Sequence, residues 1–232
     1  MNIKEKKVTC FIASMRGTNS REYEVLSPFL QELKISNKVE LIMANQIILN
    51  HCCGCCQCFE CGVCPQDNLD DMGEIKRKLI ESDIIIISSP VYIHHISGIM
   101  KDFIDRIAYW SHVFELLAKR IIVCSATETT GNEYVIAYIK KVFQTFGGYV
   151  VGEISINKFI NDYSNSFSET VNNIKLSYEF PDKCKTSSFQ EGQFATLKDK
   201  HLNGGNTYEA IEWFTRGYLN YDSMYDLLRN KL

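Results

Sequence analysis

Seven of the ten cysteines in this 232-residue chain lie within thirteen residues, between Cys52 and Cys64. Five of these thiols recur at every third position, as Cys52, Cys55, Cys58, Cys61 and Cys64. Thiolates are soft ligands, and the Cys-x-x-Cys spacing lets one tight turn direct two sulfurs at one metal. Because the thiols have no cluster of histidines beside them, the segment favours an iron–sulfur centre over catalytic zinc. The spacing therefore indicates electron transfer.

Two other uses of these thiols stay open. Four of the sulfurs could bind zinc in a structural site, or six of the cysteines could form disulfide bonds. Disulfides are disfavoured because Met1–Lys7 is polar and the next apolar run, Val8–Ala13, is too short for a signal peptide. The adjacent Cys52 and Cys53 also have poor bridging geometry. We therefore expect metal-bound thiolates in a reducing cytoplasm.

Composition excludes several classes of protein. The residues are 45% apolar, which is enough for a substantial core, and 23% charged, with a net charge of −3. No basic stripe is present, so nucleic acid is not expected as a partner. No apolar run approaches the roughly 18 residues that a membrane crossing needs. The length suits one large domain, or one domain with an extension.

Residues 1–156 alternate between strand-like and helix-like segments, and Cys10 and Cys124 fall within strands as small core residues. The predicted strands are Val8–Ser14, Val39–Met43, Ile84–Ser88, Arg120–Cys124 and Tyr149–Ile156. Helical spacing of apolar residues fills the gaps; Pro28 should kink or shorten the first helix, and Ser97 should cap the third. This alternation of strands and helices predicts a parallel sheet that is covered by helices on both faces, with its strands in the doubly wound order 2-1-3-4-5. The cysteine loop, residues 51–66, follows strand two and so lies at the carboxyl edge of the sheet, where such folds open their ligand crevice.

Residues 157–232 form a predicted C-terminal extension to the domain of residues 1–156. One helix is predicted from Phe167 to Tyr178, followed by a loop at Pro181–Gly205 that holds Cys184 as a free thiol. Short helices are predicted at Thr207–Tyr218 and Ser223–Leu228. The extension is either a lid or arm that reaches the crevice or a partner subunit, or an extra packing layer on the same domain.

The loop after strand one predicts an anion site. Hydroxyls, an amide and backbone N–H groups stand at the start of a helix, where the helix dipole favours negative charge. The candidate ligands are Ser14, Arg16, Thr18, Asn19 and Ser20. Neither a dinucleotide fingerprint nor a P-loop lysine is present, so a monophosphate is favoured, with Arg16 as a bidentate partner. The alternative is an ordinary capped helix, with Asn19 as N-cap and Glu22 closing a capping box.

The loops after strands three and four supply candidates for an aromatic ring system. Pro90 stiffens the first of these loops, and Tyr92 offers a flat apolar face. The predicted binding residues in these loops are Pro90, Val91, Tyr92, Ile93, His94, Thr127 and Gly131.

Four segments together resemble the flavodoxin-like, NADPH-dependent FMN reductase family. Residues 89–106 read SPVYxxxxSGxxKxFIDR, which is similar to that family's flavin loop and following helix. Ser14-x-Arg16-x-x-Asn19-Ser20 resembles its phosphate loop. Cys52-x-Gly54-Cys55 and the thiols after it, up to Asp70-Asp71-Met72, resemble the subgroup of iron–sulfur flavoproteins. Residues 213–218 are similar to the tail of longer members.

The resemblance implies an FMN-dependent oxidoreductase with a [4Fe–4S] cluster. The subgroup's compact spacing falls on Cys52, Cys55, Cys58 and Cys64, which leaves Cys53, Cys56 and Cys61 as surplus thiols. A second ligand set, Cys55, Cys58, Cys61 and Cys64, nearly makes a ferredoxin run, but its last gap is one residue short. The resemblance also implies NAD(P)H or ferredoxin as electron donor, a small acceptor, and a homodimer or homotetramer.

Three rival functions stay open. They are a flavin-only NAD(P)H:quinone or nitro-compound reductase with structural or zinc-bound thiols, a ferredoxin-coupled electron carrier, and a non-enzymatic metal-binding module. His94 and His95 could donate a proton near the flavin, although exposed imidazoles are the simpler interpretation. Lys101, Asp105 and Arg106 are expected to form a solvated or subunit-facing helix surface.

Overall fold

Five parallel strands form a single sheet in a computed structural model of the protein, which describes residues 5–34, 37–202 and 205–232. The sheet order is β2-β1-β3-β4-β5, so the predicted doubly wound topology is confirmed. The strands are β1 (Lys7–Ile12), β2 (Lys38–Met43), β3 (Ile84–Pro90), β4 (Arg120–Thr127) and β5 (Tyr149–Asn157). Residues 1–4 of the polar N-terminal segment and residues 203–204 of the predicted loop lie outside the described ranges.

Helices cover both faces of the sheet and continue beyond it. They are α1 (Arg21–Lys34), α2 (Gln57–Cys61), α3 (Met72–Glu81), α4 (Gly98–Arg106), α5 (Trp110–Val113), α6 (Asn132–Thr145), α7 (Ser164–Glu179), α8 (Ser188–Leu202), α9 (Tyr208–Thr215) and α10 (Met224–Lys231). Ser97 caps α4 as predicted, because its hydroxyl accepts from the Met100 N–H. None of the helices in the described part of the chain has the length and apolarity that crossing a membrane requires.

Pro28, which was expected to kink or shorten the first helix, does not shorten it. Helix α1 runs past Pro28 to Lys34, and its apolar residues between Val25 and Leu33 are buried against the sheet. Packing of that apolar face supplies more stability than the hydrogen bond that proline removes, so the helix continues.

The core consists of two layers, one on each face of the sheet. On one face, Phe11, Ile85 and Val123 pack with side chains of α3, α4, α5 and α6. On the other face, Cys10 and Cys124 lie fully buried beneath α1 and α7, as their positions within strands predicted. Burial of both faces is what an all-parallel sheet requires.

The predicted loop at Pro181–Gly205 is wrong over most of its length, since α8 occupies residues 188–202. Phe194 of α8 packs with Trp213 of α9 and with Phe114, which follows α5, and the ring centroids of Phe114 and Trp213 are 5.7 Å apart. Cys184 is a free thiol in a short connection, as predicted, and it is buried. Helices α8, α9 and α10 thus pack against the connection between α5 and β4, at Phe114 and Ala118, whereas α7 packs on the sheet at β5.

Candidate functional site

A cleft of about 250 Å³ opens at the carboxyl ends of β1, β3 and β4. Six of the predicted cofactor residues line it: Ser14, Arg16, Pro90, Val91, Tyr92 and Thr127. Three connections meet there because the strands of a parallel sheet all present their carboxyl ends at the same edge. Polar and cationic groups stand at the end formed by the loop after β1, and apolar groups at the end formed by the loop after β3.

The loop after β1 places Ser20 at the N-cap of α1. The Ser20 hydroxyl accepts from the Tyr23 N–H at 3.2 Å and donates to the Gly17 carbonyl at 2.7 Å. The alternative with Asn19 as N-cap and Glu22 closing a capping box is therefore wrong. Asn19 and Thr18 are exposed on a 3₁₀ turn just before the helix, so their polar groups remain accessible to a ligand.

A strained two-residue turn follows β3. Tyr92 and His95 exchange backbone hydrogen bonds, with the Tyr92 N–H donating to the His95 carbonyl at 2.8 Å and the His95 N–H to the Tyr92 carbonyl at 3.1 Å. Between them, Ile93 and His94 have φ angles of 49° and 58°. Left-handed backbone is unusual for non-glycine residues, most of all for a β-branched one, and such strain is concentrated at ligand sites. The turn holds Ile93, 95% exposed, beside the cleft.

Gly131 supports this turn from behind. Its φ is 103°, and a Cβ at this position would lie 2.8 Å from Val91 Cγ1 and 3.0 Å from His94 Nδ1. Only glycine permits both this backbone conformation and this close approach. Gly131 therefore supports the turn and is not among the residues that line the cleft. Thr127 does line the cleft, and its hydroxyl accepts from the Thr129 N–H at 3.2 Å within its own loop.

The residues of the cleft fit a phosphate ester that carries a planar ring. At one end, Arg16 is exposed and the N-terminal amides of α1 are free of helical partners, which suits an anion. At the other end, the Tyr92 ring is half exposed, and a flat aromatic group can stack on it. Candidate residues for the predicted phosphate contact and for the predicted ring contact thus line the same cleft.

The cysteine loop carries free thiols of two kinds. Cys64 is buried and Cys58 half-buried against the main core, whereas the other five thiols between positions 52 and 61 are exposed. Burial, together with the charge of Cys64, raises the pKa of Cys58 to about 11. The Cys61 thiol turns back on its own helix and donates to the Gln57 carbonyl at 3.3 Å. Hydrogen bonds from Cys55 lower the pKa of Cys53.

The chemistry of these donors fits an iron–sulfur cluster, but their arrangement does not complete one. Within residues 5–34, 37–202 and 205–232, no three histidine, cysteine or carboxylate side chains converge on a metal-binding point. The four-thiolate set therefore stays a prediction.

Two aspartates close the ends of the cysteine loop. Asp70 accepts from the Asn50 N–H at 2.8 Å, and Asp71 accepts from the Ile48 N–H at 2.7 Å. Both aspartates belong to the segment that resembles the iron–sulfur flavoproteins. The structure gives them a positioning role, because they join the chain entering the loop to the chain leaving it.

Arg106 forms hydrogen bonds with the residues at both ends of the cysteine loop. Its Nη1 donates to Asp70 at 2.5 Å and to the Asn50 carbonyl at 3.1 Å, and its Nη2 donates to Asp67 at 3.0 Å. Lys76 donates to the same Asp67 at 2.8 Å. The side chains of Arg106 and Asp70 are both 0% exposed. The prediction of a solvated or subunit-facing Arg106 is wrong, because these two carboxylates and the carbonyl satisfy its charge inside the protein.

Helix α9 of the extension packs against the cysteine loop from the other side. Gly62 ends α2 with a φ of 76°, and a Cβ there would lie 2.4 Å from the Tyr208 ring. Next to this contact, His112 pairs with Glu209, Nδ1 to Oε1, at 2.5 Å, and lies against Phe59 with ring centroids 5.0 Å apart. The contact between Tyr208 and the cysteine loop is a detail that the predicted lid, arm or packing layer did not include.

The remaining polar candidates lie on the surface. His51 pairs with Asp102, Nδ1 to Oδ1, at 2.6 Å and is 88% exposed. Lys101 and Asp105 pair with each other on the exposed side of α4, as predicted. His94 and His95 are both exposed, in agreement with the simpler interpretation of these imidazoles.

Comparison with known proteins gives the family. Residues 6–160 match the NADPH-dependent FMN reductase family. The chain belongs to this family of flavin-dependent oxidoreductases. Its predicted family resemblance is thereby confirmed, and the predicted subgroup is the name carried by its curated relatives.

The similarity to curated relatives covers only part of each protein. The chain is 36% identical over 137 residues to an iron–sulfur flavoprotein of Archaeoglobus fulgidus, covering 56% of this chain and 60% of the relative. It is 28% identical over 145 residues to one of Clostridioides difficile, covering 62% and 64%. The chain thus spans about three fifths of the length of these relatives.

A solved structure supports the fold. RosB with a bound 8-demethyl-8-formylriboflavin-5′-phosphate intermediate superposes with a TM-score of 0.56 at 10% identity, over 88% of this chain and 89% of RosB. At that identity the likeness concerns the arrangement of strands and helices alone.

Proposed function

We propose that this protein is an FMN-dependent oxidoreductase of the iron–sulfur flavoprotein type. The observation that carries the proposal is the cleft in which the phosphate-type loop after β1 faces the strained turn after β3. Family membership supports FMN as the ligand, and the names of the curated relatives support an accompanying iron–sulfur centre.

The chain's own residues would bind and orient the cofactor. Arg16 and the N-terminal amides of α1 would hold the phosphate, with Ser14 beside them on the cleft wall. Tyr92 would cover part of the ring and exclude water from it, while Gly131 keeps the turn in place. When bound, FMN supplies a ring that takes up electrons as a hydride or one at a time.

A [4Fe–4S] cluster held by Cys52, Cys55, Cys58 and Cys64 completes the proposal. Three of these thiols recur at every third residue, and the fourth, Cys64, follows Cys58 by six residues in the same loop. We further propose NAD(P)H or ferredoxin as donor, a small molecule as acceptor, a homodimer or homotetramer, and a cytoplasmic location.

The test is to purify the protein anaerobically and count flavin, iron and sulfide per chain. We expect heat-released flavin to run as FMN on chromatography, and a brown protein with absorbance near 400 nm from the cluster. Recovery of mostly FAD would contradict the proposed cofactor. Stoichiometric zinc with FMN would leave the flavin-only reductase, and the absence of any flavin would leave the metal-binding module.

Arg16→Ala is expected to weaken FMN binding by about 1.5–3 kcal/mol, because it removes a charge-assisted contact with the phosphate. Fluorescence titration of flavin-free protein measures the affinity. Riboflavin, which lacks the phosphate, serves as the control ligand, and its affinity should stay unchanged. An equal loss for both flavins would show that Arg16 acts on the ring or on the fold.

Replacing each of the four proposed ligands by serine is expected to abolish iron retention, since a hydroxyl ligates iron poorly. Cys61→Ser is the matched control, because Cys61 lies in the same loop and its thiol bonds to a carbonyl of its own helix. Iron is measured per chain after anaerobic purification. Loss of iron in Cys61→Ser but not in Cys64→Ser would favour the ferredoxin-like set.

A further inference from the structure

A carboxyl group is buried at the phosphate end of the cleft. Glu22 lies in the first turn of α1, lines the cleft, and is only 2% exposed. Its Oε1 has no hydrogen-bond partner among the described residues. Burying an ionised carboxylate without a hydrogen-bond partner costs free energy. The Glu22 carboxyl is therefore either neutral or is paired with a ligand that binds in the cleft.

The groups around Glu22 leave its charge poorly balanced. Arg21 Nη1 forms an ion pair with Glu24 Oε1 at 2.6 Å, and Lys158 Nζ lies 3.9 Å from Glu128 Oε2. Among these cations, Arg16 is the one whose positive charge lowers the pKa of the Glu22 carboxyl. The titratable and charged groups facing this region from the surrounding elements are Arg16, Arg21, Glu128, Lys158, Tyr163 and the buried thiols of Cys10 and Cys124.

These surroundings shift the Glu22 carboxyl towards its protonated form. Burial raises the pKa of its carboxyl, and the hydrogen bond from its own amide and the charge of Arg16 offset only part of that effect. The neighbouring Cys124 thiol, whose pKa burial also raises, is neutral and contributes no positive charge.

A phosphate monoester in this cleft would compete with Glu22 for Arg16. It carries about −1.5 to −2 charges at pH 7, and a second anion beside it is unfavourable. A neutral carboxyl removes that repulsion and offers an O–H donor to a phosphate oxygen, which a carboxylate cannot do.

We propose that Glu22 binds the phosphate of FMN as a neutral carboxylic acid, so that FMN binding is accompanied by proton uptake at every pH at which Glu22 is ionised in the flavin-free protein. The inference rests on the proposed function, since it concerns the phosphate end of the same site. It adds a binding residue and a pH dependence that the phosphate-loop motif does not contain.

The sign of the pH dependence follows from linkage. The phosphate charge raises the pKa of Glu22 further, so the pKa is higher in the complex than in the flavin-free protein. FMN affinity is therefore highest below the pKa of the flavin-free protein and falls as the pH rises towards that of the complex. Between the two values the affinity falls by about tenfold per pH unit.

The experiment compares wild type, Glu22→Gln and Glu24→Gln between pH 6 and pH 9. Glutamine keeps the shape and an N–H donor but cannot ionise, and Glu24 is an exposed carboxylate two residues along the same helix. Dissociation constants for FMN and riboflavin come from fluorescence titration. Calorimetry in phosphate-free buffers of different ionisation enthalpy counts the protons taken up.

We expect the ratio of the wild-type to the Glu22→Gln dissociation constant for FMN to rise about tenfold or more across this range, with the Glu24→Gln protein following wild type. Because FMN's own phosphate titrates in every protein, the ratio isolates Glu22. Riboflavin should bind wild type without proton uptake, a comparison that does not depend on the folding of any variant.

Equal pH profiles in wild type and Glu22→Gln would overturn the inference while leaving FMN binding intact. Proton uptake with riboflavin equal to that with FMN would also overturn it, because Glu22 would then act on the ribityl chain or ring. Absence of FMN binding in all three proteins would instead overturn the proposed function, and this inference with it.

Discussion

Arg106→Met is expected to lower the free energy of unfolding by about 3–5 kcal/mol, because it breaks a buried ion pair and leaves one charge without its partner. The substitution leaves the Asp70 carboxylate buried, with its side chain 0% exposed and its cationic partner gone. Because Asp70 also closes the cysteine loop, residues 51–66 should become susceptible to proteolysis. Urea unfolding followed by circular dichroism measures the first effect, and limited proteolysis measures the second.

The loss should depend on pH. Burial alone raises the pKa of Asp70, but the hydrogen bonds from Arg106, Asn50 and Met72 outweigh it and hold the pKa below its usual value. In the wild type this stabilisation is present above the ordinary aspartate pKa of about 3.9 and is lost as the pH falls through the lowered value. In Arg106→Met the buried Asp70 should instead protonate readily. The difference between the two proteins should therefore shrink between pH 7 and pH 4.

Lys101→Met provides the matched control. Lys101 lies on the same helix, and its ion pair with Asp105 is on the surface, with half of the Lys101 side chain exposed. Such pairs contribute about 0–1 kcal/mol. If the two substitutions cost the same amount, or if the Arg106→Met deficit does not change with pH, the buried pair does not have the role assigned to it.

The sheet could be predicted from the sequence because its signals are local. Ile84, Ile85, Ile86 and Ile87 form a continuous β-branched run, which is typical of a strand buried on both faces. Four helical segments separate the five strand segments. Few sheet topologies combine this alternation with right-handed crossovers. The cleft followed from the fold, because loops at one edge of a parallel sheet must meet.

Other features could not be predicted because they depend on contacts between distant residues. Arg106 is charged, and nothing near it in the chain shows that Asp70, 36 positions earlier, meets it in the interior. Helix α8 has buried side chains at helical spacing, but Gln190 and His201 are two of its four, so its apolar stripe is weak. Ile93 is a poor turn former, and only the surrounding structure holds it in left-handed backbone.

Gly62→Ala is expected to lower the free energy of unfolding by about 2–5 kcal/mol. Left-handed backbone costs a residue with a Cβ about 1–2 kcal/mol, and overpacking against the Tyr208 ring adds about 1–3 kcal/mol. Gly54→Ala is the matched control, since Gly54 has a φ of 67° in the same loop and no atom within 4 Å of its Cβ position. Gly54→Ala should show only the free-energy cost of placing a residue with a Cβ in left-handed backbone. Urea unfolding measures both variants.

Tyr208→Ala separates the two contributions to the Gly62→Ala loss. If the ring is the obstacle, the double substitution should lose less than the sum of the single ones, and a double-mutant cycle gives the coupling. Coupling of about 1 kcal/mol or more would mean that the Tyr208 ring at the start of α9 interacts with the Gly62 position at the end of α2, so that the extension packs on the cysteine loop. Strict additivity, together with equal losses in Gly54→Ala and Gly62→Ala, would show that the extension does not hold the loop in place.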